Sequence, residues 1–314
     1  MGGVVIGLLL TVAYLTYFER KIIASMQLRK GPNTVGFFGL LQPIADAIKL
    51  LRKEHITPKN ADRFLFLAAP FVTLVLSLSV WAVIPIDSGK VFADLNMGIL
   101  YLMVVMALSV YGIFIAGWSS GSKYAFLGTI RAISQFISYE IVLGFVLLTV
   151  VMWSGTFNLS AIVKEQEHLW FIVPLFPFFV VFLIAGLAES NRLPFDLPEA
   201  ESELVAGYHV EYSSMGFGFF FLGEYLHLLF LSAFTTLLFL GGWNAVFANM
   251  IILPGYVWFA LKMSILLFLT IWIRATLPRL RYDQLMSLCW KALLPFLLVA
   301  LVIFSIIKLL TNNL

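Results

Sequence analysis

Between Glu189 and Tyr208 the chain reads Glu-Ser-Asn-Arg-Leu-Pro-Phe-Asp-Leu-Pro-Glu-Ala-Glu-Ser-Glu-Leu-Val-Ala-Gly-Tyr, five carboxylates and one arginine between two strongly apolar runs. Neighbouring carboxylates can pass protons through small differences in pKa, and they are costly to desolvate. Such a cluster is either a solvated loop or the lining of a polar cavity that handles protons or a polar ligand. Glu199 and Glu203 are four apart and would share a helix face, while Glu201 would point elsewhere. Pro194 and Pro198 prevent a regular helix through the segment, so it breaks and re-enters. Irregular backbone near membrane depth is tolerated where it lines a cavity, which favours the cavity reading.

Three more ionisable residues lie inside apolar runs: Glu140, Glu224 and Lys262. Charges at such depth usually face a bundle interior or a wet cavity. The plainer reading is a glutamate near the interface that snorkels or pairs with a cation. Glu140, Glu224 and the acids from Glu189 to Glu211 are numerous enough to form a continuous file, although spacing alone does not bring them together. Other chemistry is absent or weak. A single cysteine, Cys289, excludes an internal disulfide or a cysteine-ligated cluster within this chain. His55, His168, His209 and His227 lack close ligand spacing, and His209 and His227 read as packed or hydrogen-bonded side chains. Phosphate-binding glycine loops and nucleophile motifs are missing.

The elements that must position these residues follow from composition. Hydrophobic residues make up 61% of the chain and charged residues 12%, against about 25% charged in soluble domains. The expectation is an all-α polytopic membrane protein, a single integral membrane domain over residues 1–314, with no role in nucleic-acid binding. Apolar runs of about 20 residues predict eight transmembrane helices near 2–18, 64–85, 97–117, 135–153, 169–188, 217–240, 252–273 and 291–310, with the broken acid-rich segment between the fifth and sixth. The first run has no basic leader or cleavage site and reads as a retained helix.

Sixteen lysines and arginines fall in the odd-numbered loops (19–63, 118–134, 189–216 and 274–291), against Lys90, Lys164 and Lys308 in the even loops and ends. Odd loops therefore face the cytoplasm or a mitochondrial matrix. The acidic loop lies on that positive side with six acids to Arg192 alone. In the first loop, Ile44, Ile48 and Leu51 recur at helical spacing between Gln42 and Lys53. This predicts a short amphipathic helix, lying in the membrane interface or packed on a soluble partner.

Four ordered motifs narrow the reading. The first comprises Glu19-Arg-Lys, Gln27-Leu-Arg-Lys-Gly-Pro-Asn33 and Gly39-Leu-Leu-Gln-Pro-Ile-Ala-Asp-Ala-Ile-Lys49. The second comprises Ser122-Lys-Tyr-Ala-Phe-Leu-Gly128, Arg131 and Gln135-Phe-Ile-Ser-Tyr-Glu140. The third is the segment from Asn191 to Gly207. The fourth is Arg274-Ala-Thr-Leu-Pro-Arg-Leu-Arg-Tyr-Asp-Gln-Leu-Met286. Together, from about residue 10 to residue 296, they closely resemble subunit 1 of the membrane arm of respiratory complex I, the NADH:ubiquinone oxidoreductase.

The resemblance implies a subunit without a redox centre that forms the membrane-side floor and entrance of a ubiquinone chamber. Ubiquinone is then a bound substrate, and NADH, FMN and the iron–sulfur clusters belong to partner subunits. The implied partners are the peripheral-arm subunits on the matrix side, adjacent small and antiporter-like membrane subunits, and the lipid bilayer. By motif match, Arg20, Arg29, Asp46, Arg192 and Arg274 fall at the quinone chamber and its junction loops. Glu140, Glu189, Glu199, Glu201, Glu203 and Glu224 fall on a proton pathway, and helix 42–53 lies beside the quinone entrance. Quinone reduction takes up two protons, and in a low-dielectric cavity that charge change would shift neighbouring carboxylates.

The chain departs from the pattern in a short amino terminus and in Gly216 and Gly218, which would loosen the start of the sixth span. The short chain favours a mitochondrial inner membrane, with a bacterial plasma membrane as the alternative. Two other functions remain open: the membrane subunit of a related membrane-bound hydrogenase, and an autonomous proton-coupled transporter. No internal symmetry supports the latter.

Overall fold

Long apolar sequence with few breakers folds here as helix. The computed structural model describes residues 2–197, 206–245 and 253–312. In chain order the helices are α1 (Gly2–Met26), α2 (Gln42–Arg52), α3 (Arg63–Ser79), α4 (Gly98–Ser119), α5 (Lys123–Ser154), α6 (Leu159–Glu165) and α7 (Phe176–Glu189). They continue as α8 (Ser214–Phe239), α9 (Gly255–Thr276), α10 (Tyr282–Ser287) and α11 (Leu294–Asn312), with a π-helical turn, Leu288–Leu293, joining the last two. Seven helical stretches are long and apolar enough to cross a membrane. Among the described residues there is no β-strand, only an isolated bridge between Asp87 and Lys90. The chain is an all-α polytopic membrane protein.

Three expected boundaries move, each for a physical reason. Helix α1 continues past residue 18 to Met26, because Glu19 is buried against cationic partners and its charge does not have to reach water. Helix α5 begins at Lys123 instead of 135, so most of the loop expected over 118–134 is helix. The fifth expected span, 169–188, contains only fourteen residues of helix, α7, which begins at Phe176 with a proline in its first turn. At 1.5 Å per residue that is about 21 Å, short of a hydrocarbon core of about 30 Å. The preceding turns are tied to neighbouring elements, Ile172 N donating to Phe239 O (2.9 Å) and Phe171 N to Gln166 Oε1 (3.3 Å). Irregular backbone at depth is satisfied in this way.

Helix α8 is the hub, packed against α1, α2, α3, α6, α7 and α9. Its second half is largely buried, with Phe234 and Phe239 meeting Phe182 and Phe179 of α7 and Phe230 stacked on Phe234. At the start of α8 a Cβ on Gly216 would stand 3.3 Å from the Tyr212 ring, and one on Gly218 would stand 3.4 Å from Leu50 of α2. Helix α2 has the expected extent, with Ile44, Ile48 and Leu51 exposed along it.

The loops segregate as the charge asymmetry requires. On the odd-loop side Ser214 Oγ donates to Leu50 O (3.1 Å), Asp62 N to Ser119 O (3.0 Å) and Leu280 N to Pro194 O (3.0 Å). On the opposite side Asn158 Nδ2 donates to Asp94 Oδ1 (2.8 Å) and Asn244 Nδ2 to Val163 O (3.0 Å). Lys262 belongs to this second side, away from the carboxylates. Its Nζ donates to the carbonyls of Leu240 (2.6 Å), Gly242 (3.0 Å) and Asn244 (2.6 Å) and sits 4.2 Å from the Trp170 ring centroid. An ammonium on the cap carbonyl of α8 and on carbonyls of the turn after it satisfies acceptors that no helical N–H reaches.

Lys262→Met should therefore leave buried carbonyls unmet and lower stability by about 3 kcal/mol, since a hydrogen bond to a charged group is worth about 1.5–3 kcal/mol. Thermal unfolding in detergent checks this. An unchanged midpoint would show that the lysine does not close the end of α8.

Candidate functional site

A polar centre forms on the odd-loop side, where α7 ends. Asn191 adopts a left-handed conformation (φ 51°) and Leu193–Pro194 is a cis peptide, so the chain leaves α7 as an irregular segment. Its backbone is held from α5, where Gln135 Nε2 donates to Ala188 O (2.7 Å) and Phe195 O (2.9 Å). The break expected at Pro194 is present. Pro198, Glu199, Glu201 and Glu203 lie outside the described residues.

This turn brings Arg192 onto Glu19. The guanidinium Nη1 donates to both carboxylate oxygens (2.8 and 3.0 Å) and stacks 4.1 Å from the Tyr225 ring centroid. Arg274, at the end of α9, pairs with the same Glu19 oxygen. Burial works against the Arg192 charge, but Glu19 beside it more than offsets this, and the group is raised above its ordinary value. Two guanidiniums on one carboxylate leave a net positive charge. Asp196 (which pairs with Arg279 at 3.1 Å) and Glu224 line the same cavity. Burial pushes His209 down to about 4, with Asp196 opposing, so this imidazole on the cavity wall is neutral near pH 7.

Glu224 marks the junction of two cavities. The first, about 120 Å³, is lined by Arg192, Asp196, His209, Glu224, Tyr225 and Arg274. The second, about 50 Å³, passes Glu224 to reach Asn191, Glu189 and His227. Tyr208 donates to Glu224 Oε1 at 2.5 Å. The tyrosine is held there by a backbone contact between α5 and the 207–208 turn: a Cβ on Gly128 would lie 2.7 Å from Gly207 Cα. Gly128→Ala has no flexible side chain to push aside, and overpacking of this kind costs about 1–3 kcal/mol. It should displace Tyr208 from Glu224 and reduce turnover several-fold, a result to be read against complex content. Wild-type turnover would mean that the turn moves without consequence.

Beyond Glu224, Glu189 is 3% exposed, and its Oε1 lies 3.5 Å from His227 Nε2. Glu140 on α5 is close enough to act on Glu189 electrostatically. The structure thus brings together Arg192, Arg274, Glu224, Glu189 and Glu140 from the expected residues. The other three stand apart. Arg20 pairs with Asp46 at 2.8 Å on a half-exposed face between α1 and α2, and Arg29 bonds Gln27 Oε1 (2.8 Å) in an exposed turn. Arg20 follows Glu19 by one helical position, about 100° around the axis, so the two cannot face the same site. Sequence reasoning missed Glu19, Tyr208 and Tyr225 as site residues and read His227 as packing. The charge-rich Glu19-Arg-Lys triplet marked the helix without showing which charge turned inward.

Comparison with known proteins places these motifs. A family model described as NADH dehydrogenase matches residues 1–305. The chain is similar to an NADH-quinone oxidoreductase subunit of Rickettsia prowazekii, 59% identical over 318 residues, covering 99% of this chain and 93% of that protein. It is similarly close to the same subunit from Paramagnetospirillum magneticum, 57% identical over 302 residues, covering 96% and 89%. Both organisms are bacteria. The similarity therefore supports a membrane protein without supporting a mitochondrial one.

Proposed function

Because the chain belongs to the NADH dehydrogenase family, we propose that it is a core membrane subunit of a proton-translocating NADH–quinone oxidoreductase, carrying no redox centre of its own. The observation that supports this reading best is the file of polar side chains running from Arg274, Glu19 and Arg192 past Glu224 to Glu189 and Glu140, open at the cationic odd-loop side. A cavity of about 120 Å³ is too small for a quinone headgroup, since small-molecule sites occupy about 300–1,000 Å³. The chain accordingly supplies the floor of the quinone chamber, and a partner protein docked on the odd loops completes it. Ubiquinone is the proposed substrate. NADH, FMN and iron–sulfur clusters reside on peripheral-arm subunits, and small and antiporter-like membrane subunits continue the pathway laterally.

In this mechanism the quinone accepts two electrons from a partner cluster and takes up two protons. The charge change is felt by Asp196, Arg192 and Glu224 across a poorly screened cavity. Glu224, Glu189 and Glu140 then pass it inward by exchanging protons, with Glu199, Glu201 and Glu203 extending the same acidic set. Arg20, Asp46 and Arg29 are proposed to act at the entrance and junction, since they lie outside the buried file. The bacterial relatives favour a plasma membrane over the mitochondrial inner membrane expected from chain length.

Native membranes solubilised in mild detergent test the reading. The chain should migrate with a very large assembly that stains for NADH dehydrogenase activity and reduces quinone in an inhibitor-sensitive manner. Migration with a hydrogen-evolving assembly would favour the hydrogenase alternative, and a small particle without either activity would favour a transporter.

A further inference from the structure

Beside Glu189 and Glu224, the second cavity carries polar side chains that the proton-transfer mechanism does not use, among them Asn191 and His227. Three buried polar atoms line it without a hydrogen-bond partner among the described residues: Glu189 Oε2, Asn191 Oδ1 and His227 Nε2. Glu189 closes α7 and Asn191 lies in the turn directly after it, while His227 comes from α8, so two separate stretches of chain meet here. The His227 nitrogen is 3.5 Å from Glu189 Oε1, just beyond a good hydrogen bond and within range of one proton carrier. Hydroxyls of Ser77, Thr73 and Ser109 complete the wall, and the other titratable groups that face the imidazole are Glu224 and Tyr208.

A purely packed histidine has its ring nitrogens satisfied by fixed partners or surrounded by apolar atoms. Here Nε2 lies 3.5 Å from a Glu189 oxygen and lines a space of about 50 Å³, enough for one or two waters at roughly 30 Å³ each. Histidine is also the side chain whose two nitrogens can accept a proton on one side and release it on the other near neutral pH.

We propose that His227 is a proton-exchanging partner of Glu189, linked to it and to Asn191 by water held in this cavity, and that protons passing between Glu224 and Glu189 cross that cavity. The inference rests on the carboxylate-file reading and adds a residue that none of the four family motifs contains. In the transfer step Glu189 gives its proton to His227 Nε2 through a bridging water. The imidazolium so formed returns a proton to the file, so that charge is conserved and no electron moves. Glu189 and His227 thus work as one unit.

The test uses the intact assembly. His227→Gln keeps size and hydrogen bonding but cannot exchange a proton. It should leave NADH oxidation by an artificial acceptor unchanged, lower NADH–quinone reduction about a hundredfold, the lower end of the range for lost proton-transfer groups, and change the pH profile of that rate. Glu189→Gln should do the same, and the double variant should be no worse than the poorer single one, because residues acting in one unit are not additive. Gly223→Ala provides a second route if His227→Gln does not assemble. Its methyl would meet Ser77 Oγ at an ordinary 3.5 Å, filling water space without touching an ionisable group, and it too should slow quinone reduction. Wild-type rate and pH profile in whichever of these variants assembles, alongside an impaired Glu189→Gln, would overturn the role of His227 alone. Wild-type behaviour of Glu189→Gln and Glu224→Gln as well would overturn the carboxylate file itself.

Discussion

Glu19→Ala should prevent accumulation of a stable assembly. In the folded chain this carboxylate, 2% exposed, is the shared partner of Arg192 and Arg274. Removing it leaves the buried Arg192 guanidinium stacked on Tyr225 without its hydrogen-bonded counter-charge, and breaking a buried pair from one side costs about 3–5 kcal/mol. That is a large part of the roughly 5–15 kcal/mol by which folded proteins are typically stable. Arg274 is better placed to tolerate the loss, being about one-third exposed.

The double substitution Glu19→Leu with Arg192→Leu separates stability from function. Replacing both buried charges by apolar groups is often close to neutral, so assembly should recover while quinone reduction stays lost. The measurements are complex content on a native gel and the thermal midpoint in detergent. A Glu19→Ala assembly as stable as wild type would show that the triad contributes nothing to holding α1, α9 and the broken segment together.

Glu224→Gln should have the opposite profile: normal assembly and failed coupling. Glutamine has nearly the same shape and can still accept the Tyr208 hydroxyl hydrogen bond that Glu224 accepts at 2.5 Å, so the two cavities keep their walls. What disappears is the ability to gain and lose a proton at the one ionisable residue, among the described residues, common to the cavity beside Arg192 and the cavity beside Glu189. Loss of a positioned acid–base group costs about 10²–10⁴-fold in rate, and coupled quinone reduction should fall toward the lower end of that range. Electron input from NADH to an artificial acceptor, which needs none of these residues, should persist. Glu140→Gln should share the phenotype in milder form, because Glu140 acts on Glu189 from α5 and lines neither cavity. Full quinone reduction and full proton pumping in both variants would sink the assignment.

Much of this fold is legible in the sequence, because a lipid-exposed helix must be apolar over its whole length and its flanking charges record its orientation. Helix α2 is readable for a similar reason, its apolar residues recurring at helical spacing. The beginning of α5 is not readable, because Lys123 and Arg131 lower the hydropathy of a stretch that is nonetheless helical. The late start of α7 is recorded locally by Pro174 and Pro177, whereas the contacts that hold Phe171 and Ile172 before it are not.

The site divides along the same line. The acids Glu140, Glu189 and Glu224 stand out because they interrupt apolar runs. Glu19 does not, since its partners lie 173 and 255 residues away and its neighbours Arg20 and Lys21 make it look like an ordinary helix-terminal charge. Lys262 stands out for the same reason as the glutamates but has a different role: its three carbonyl acceptors come from the cap of α8 and the turn after it, on the opposite side of the chain. An intramembrane charge is thus a reliable sign of a buried polar partner. It does not distinguish a proton carrier from a helix cap.

The most direct measurement is photolabelling of the intact NADH-oxidising assembly with a light-activated ubiquinone analogue, with the adducts mapped on this chain. The account predicts labelling, competed by excess ubiquinone, on peptides that form the open side of the Arg192–Glu224 cavity and on those of the first loop around α2. Labelling confined to partner subunits, with this chain unlabelled or labelled equally in the presence of competing quinone, would contradict its place at the quinone chamber.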